Sequence, residues 1–143
     1  FHCLVHCSVS SISGAKFLER RRSVDISNPV IQLCTAGARA EFEHRIEDAR
    51  ILYQQAWDAR TDDYNTCIAA HYVARFQDSG EESLRWNQIA LEHADAVNDD
   101  RVKDFYPSLY LSLGRSYELM GNQGEAQRYY DLAAALGVVH QPD

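Results

Sequence analysis

Proline and glycine are scarce, three and seven in 143 residues. That excludes a collagen-like chain and argues against a disordered one. Cysteine is scarce too: the four thiols suit a reduced protein better than a disulfide scaffold, and Cys34 and Cys67 sit in helical apolar patterns as small core residues. No apolar run reaches the roughly 18 residues of a membrane span, so no membrane segment is expected. The opening "FHCLVHCSVSSISGA" is mildly apolar, but its charges follow it, the reverse of a secretory leader. A cytoplasmic location is the expectation. Basic residues are few, 14 Lys and Arg against 21 Asp and Glu, for a net charge of −7. Residues 1–29 carry Lys16, Arg20, Arg21 and Arg22 against Glu19 and Asp25, so they stand at +2 and the remainder at −9. An acidic body argues against nucleic acid as a partner. The run Arg20-Arg21-Arg22 is too short to overturn that, and reads as a solvated helix face.

Motifs of chemistry are missing as well. The chain has no phosphate loop, no Gly-x-Ser-x-Gly elbow and no His-Glu-x-x-His helix. The close carboxylates of "EDAR" and "NDDR" read as capping and solvating groups. In "FHCLVHC", His2 and His6, like Cys3 and Cys7, are spaced four apart, which is ligand spacing on a helix. No second ligand cluster follows, so no metal is expected. His44, His71, His93 and His140 are scattered, and His71 reads as a satisfied interhelical histidine. No catalytic residue and no cofactor emerge, and the expectation is a protein that is not an enzyme.

What is present is helical periodicity. Hydrophobic residues make up 45% of the chain, enough for one ordinary globular domain. Residues 30–59 repeat apolar and small positions at three and four, through Ile31, Cys34, Ala38, Phe42, Ile46, Ala49, Leu52, Tyr53 and Ala56. The segment is long enough for two helices with a bend near His44. Asn28 and Pro29 supply a cap and a first-turn proline. "YNTCIAAHYVARF" and "ESLRWNQIALEHADAV" form the next two runs, parted by a turn with Ser79 as its cap, and "NDD" ends them. "VKDFYPSLYLSLGRSYELM" and "EAQRYYDLAAAL" form the last two, with Pro107 in the first turn of its helix or kinking it, and Gly137 as the stop. Strands are not expected.

The three pairs repeat. Gly37, Ala49, Tyr53 and Ala56 are spaced 12, 4 and 3, and Gly114, Ala126, Tyr130 and Ala133 keep that spacing 77 residues on. His71, Ser83, Asn87 and Ala90 keep it at a shift of 34 with weaker residue types. Small residues let paired helices approach, and the tyrosines fill the gap between units, so each unit leaves a face that a neighbour buries. Together with Leu113, Tyr117 and Gly121, these positions resemble the tetratricopeptide repeat (TPR) family over residues 30–136. The step from the second to the third unit is 43 residues, nine more than 34, and predicts longer helices around residues 92–106.

The resemblance implies an all-α fold: antiparallel helical hairpins stacked as a short right-handed superhelix, whose first helices line a concave groove for a peptide or helix. The groove-facing positions would be Cys34, Ala38, Glu41 and Phe42 in the first unit. They would be Asn65, Ile68, Tyr72, Arg75 and Phe76 in the second, and Ser108, Leu111, Arg115, Glu118 and Leu119 in the third. Arg75 and Arg115 either grip a carboxylate or phosphate beside Asn65, Tyr72 and Ser108, or pair with nearby acids such as Glu118. A family branch that clamps acidic C-termini needs a lysine and an asparagine where this chain has Cys34 and Ala38, which argues against that clamp.

The domain expectation is an N-terminal segment, 1–29, partly helical (over "SGAKFLERRR") or vector-derived, since the chain starts without methionine; a TPR-like domain, 30–136; and a tail, 137–143. The functional expectation is a non-enzymatic adaptor or scaffold with a protein or peptide partner. The alternatives are a regulatory or sensor piece of a larger protein or operon, or a self-assembling repeat protein. A homodimer would form through the apolar C-terminal helix "YYDLAAALGVV".

Overall fold

The computed structural model describes residues 26–137. The expected helix over "SGAKFLERRR", the His2/Cys3/His6/Cys7 cluster and most of the C-terminal tail lie outside those residues. Within them the chain is all helical, with seven α-helices and no strand.

Local signals set the helix ends. Helix α1 (Pro29–Phe42) starts at Asn28, whose side chain accepts the Val30 N–H at 3.0 Å, with Pro29 in the first turn. The bend expected near His44 is there: His44 takes a left-handed conformation, φ 61°, and the chain re-enters helix as α2 (Ile46–Asp58). Asp62 caps α3 (Asp63–Val73), which tightens into a 3-10 turn over Ala74–Phe76. Ser79 caps α4 (Gly80–Val97), with Glu81 and Glu82 favourably placed at its positive end. Pro107 sits in the first turn of α6 (Tyr106–Leu119), and α7 (Gln123–Ala135) ends before Gly137, φ 90°.

The expected lengthening around residues 92–106 takes a mixed form. α4 has 18 residues against 13 in α2 and in α7. It then stops at Asn98, which accepts the left-handed conformation at φ 45°, because an asparagine tolerates that cap. The remaining inserted residues form a separate four-residue helix, α5 (Asp100–Lys103), capped by Asp99. Val102 and Phe105 are buried and fasten this insertion to the core.

α1 packs on α2, α3 on α4, and α6 on α7, giving three hairpins in sequence. The first two join where α1 and α2 meet α3, and the last two where α4 meets α6. The small repeat positions sit at the closest approaches. Ala49, Ala56, Ala90, Ala126 and Ala133 are all buried. A Cβ built on Gly37 would stand 2.7 Å from Cδ1 of Tyr53, and one on Gly114 would stand 2.6 Å from Cδ1 of Tyr130. Neither glycine has room for a side chain, so the sequence repeat is also a repeat of packing.

Candidate functional site

The best-defined polar arrangement lies where the first hairpin meets the second. The Tyr53 hydroxyl donates to Glu41 Oε2 at 2.8 Å. The same carboxylate accepts from Arg75, Nη2 to Oε1 at 2.5 Å and Nε at 3.1 and 3.2 Å. Charge assistance and fork geometry make this a strong pairing. The Tyr53 ring stacks on Phe76, centroids 6.0 Å apart, and leans on Tyr72 at 5.1 Å. Burial, then the bond to Glu41, raises the Tyr53 pKa, so the phenol stays protonated and donates. Glu41 and Arg75 hold the same repeat position, 34 residues apart.

The third hairpin carries the same constellation without the arginine. The Tyr130 hydroxyl donates to Glu118 Oε2 at 2.7 Å, across the same twelve-residue separation. Burial and Glu118 raise its pKa in turn. Glu118 itself is exposed.

The second hairpin inverts the volumes. Its counterpart of Gly37 and Gly114 is His71, and its counterpart of Tyr53 and Tyr130 is Asn87. A ring on the first helix is thus matched by a shorter side chain on the second. His71 is buried edge-on against Tyr72 and Phe105, centroids 5.5 and 4.9 Å away. It is interhelical, as expected, but not satisfied: neither ring nitrogen has a hydrogen-bond partner among the described residues. Burial foremost, and the Arg75 charge second, push its pKa down to about 3. Asn87 donates to Ser116 Oγ at 3.0 Å and so ties α4 to α6.

The residues expected to line one groove divide. Asn65, Tyr72 and Ser108 are buried, and a ligand does not reach them. Asn65 Nδ2 donates to Thr61, and its Oδ1 accepts from Asn28 at 2.7 Å. Cys34, Ala38 and Ile68 are core. Burial pushes the thiols of Cys34 and Cys67 up to about 12, as inert packing residues. Arg75 belongs to Glu41, so a pair of anion-gripping arginines is not assembled; of the acids, Glu41 and not Glu118 is its partner. Phe76 and Leu111 are half-buried. Phe42, Arg115, Glu118 and Leu119 face solvent, Phe42 at 74% and Leu119 at 78% exposure. Phe42 and Leu119 share one repeat position.

The carboxylates of "EDAR" and "NDDR" have local duties. Asp48 pairs with Arg45 at 2.8 Å, and Asp99 caps α5 and holds Arg101. Among the described residues no three His, Cys, Asp or Glu side chains gather to hold a metal ion. A cleft beside Tyr53 and Phe76 encloses about 40 Å³, far less than a ligand-sized pocket of a few hundred Å³. A wider depression over Arg60, Asp62 and Thr66 opens broadly to solvent. No described helix is long and apolar enough to cross a membrane.

Two features are not evident from the helical periodicity. Glu41, Arg75 and Glu118 alternate in sign at a single repeat position. The shifts of 34 and 77 contain that signal. Tyr110 and Tyr117 of α6 flank Tyr129 of α7, with Tyr117 stacked at 5.7 Å, and the spacing alone did not reveal that either.

No family model, no curated protein and no solved structure matches the chain.

Proposed function

We propose that this chain is a TPR-like interaction module: a non-enzymatic adaptor whose stacked hairpins present a surface to a peptide or helix of another protein. The recurrence of Gly37–Tyr53–Glu41 as Gly114–Tyr130–Glu118 supports the repeat assignment and the superhelical stacking it implies. Phe42 and Leu119 carry the binding assignment. They are large, apolar, mostly exposed and in repeat register, so a partner that follows the repeat would meet one at each end of the row. Arg115 and Glu118 add charge beside Leu119. The working surface is therefore narrower than the full row of first-helix positions: Phe42, Arg115, Glu118 and Leu119, flanked by Leu111 and Phe76. A cytoplasmic setting agrees with the free, buried thiols of Cys34 and Cys67.

Selection of a displayed peptide library on the wild-type chain tests this. Selected peptides are expected to lose about tenfold in affinity or more on Leu119→Ser or Phe42→Ser, the worth of one buried apolar anchor. They are expected to bind Gln54→Ser, on the exposed side of α2, unchanged. Peptides indifferent to positions 42 and 119 would remove this surface as the binding site. Homodimerisation through α7 is the second reading, favoured by the exposure of Leu132 and Leu136. Sedimentation equilibrium of the wild type and Leu136→Asp decides it.

A further inference from the structure

The insertion between the second and third hairpins rests on His71. α4 stops at Asn98 in the left-handed conformation, the short α5 follows, and Val102 and Phe105 bring the chain back to the core. Phe105 meets the His71 ring edge-on, centroids 4.9 Å apart. The other ring against His71, Tyr72, belongs to the same helix, so Phe105 is the cover that leaves without parting α3 from α4. α5 has a further tie to α3 through Arg101, whose guanidinium lies over the half-buried Tyr64 at 4.7 Å. His71 is 1% exposed, and neither ring nitrogen is hydrogen-bonded among the described residues. A proton on that ring is uncompensated for as long as Phe105 stays in place. The charges that act on the ring are both positive, Arg75 on the next turn and the chain's amino terminus, and no carboxylate is among them. From α4 the facing repeat position offers Asn87, an uncharged amide.

We propose that residues 99–105 form an acid-released latch: protonation of His71 drives Phe105 and Val102 off the core and frees the insertion while the three hairpins stay folded. Release lets water reach the imidazolium and uncovers the apolar seam that the insertion closes. The device does not depend on what the groove binds. Its direction follows from linkage. A solvated histidine takes up its proton near pH 6.5, the closed one only near pH 3, so acid favours the released form by about tenfold for each pH unit below 6.5. Above pH 6.5 the latch is shut.

Two backbone amides report closure: Val102 N–H donates to the Asp99 carbonyl at 3.3 Å, and Phe105 N–H to the Val102 carbonyl at 2.9 Å. Hydrogen exchange of the full chain is followed by NMR at pH 7.5 and pH 4.5 and corrected for the intrinsic pH dependence of amide exchange. The opening equilibrium of these two amides should rise about a hundredfold over that interval. It should depend only weakly on low concentrations of denaturant, because little surface is exposed. The Ala126 and Tyr130 amides of α7 should open less often and with the steep denaturant slope of global unfolding. His71→Phe should abolish the rise, and His71→Leu should do the same if the larger ring disturbs the fold. Asp99→Ala, which removes the α5 cap, should speed opening at both pH values and leave the hundredfold rise in place. Three results overturn the proposal: opening that does not change with pH, a rise that survives in the folded His71 variants, or Val102 and Phe105 amides that open with the same equilibrium and denaturant slope as those of α7. The last would mean that global unfolding alone exposes the ring.

Discussion

At position 71 the protein keeps a neutral imidazole out of water between Tyr72 and Phe105. The unfolded chain has no such restraint, and its histidine takes up a proton below about pH 6.5. The folded pKa, near 3, lies below the unfolded one, so the unfolded state binds more protons between the two. Stability from this group is therefore full above pH 6.5 and is lost as pH falls toward 3. Denaturant unfolding at pH 7.5 and pH 4.5 should show wild type losing roughly 2–3 kcal/mol more than His71→Phe over that interval. Equal losses would mean that the ring is hydrated or paired in solution. The histidine was legible as interhelical from its repeat position. Its lack of polar partners was not, because that depends on Phe105, which an irregular insertion brings back from 34 residues downstream.

Elements were legible wherever one residue decides the outcome. Asn28, Ser79 and Pro107 each mark a helix start through a local bond or a locked dihedral. The turn at residues 43–45 follows from a helical pattern too long for one hairpin arm. The insertion was harder, since extra residues alone do not distinguish a longer helix from a second one. Asn98 decides between them. Helix pairing depends on the glycines, and the two equivalent sites make a paired prediction. Gly37→Ala and Gly114→Ala should each cost roughly 1–3 kcal/mol, because the tyrosine ring must shift off its helix. Thermal melts of both variants check this. The two losses should be similar, because each tyrosine is buried and meets its glycine at nearly the same distances. A Gly114→Ala variant as stable as wild type would deny the equivalence.

Across the whole molecule, contacts between hairpins were the least legible part. Periodicity tells which side of a helix is apolar, yet it does not say that a groove-facing arginine turns to a carboxylate one repeat earlier. That is why Asn65, Tyr72 and Ser108 read as groove-lining and lie inside, and why Arg75, which read either as an anion grip or as the partner of a nearby acid, is tied to Glu41. Among the described residues, the Glu41–Arg75 pair is the one charged bond that joins the first two hairpins through side chains both partly covered from solvent. Breaking such a pair from one side costs more than breaking an exposed one and less than breaking a fully buried one. Glu41→Arg and Arg75→Glu should each cost about 1–2 kcal/mol in denaturant unfolding, since each sets like charges face to face. The double exchange should recover most of that loss. Recovery would show that sign, and not the particular side chain, fixes the junction. Without recovery, Tyr53 would be the selective element, because its hydroxyl needs an acceptor at position 41 that an arginine does not supply.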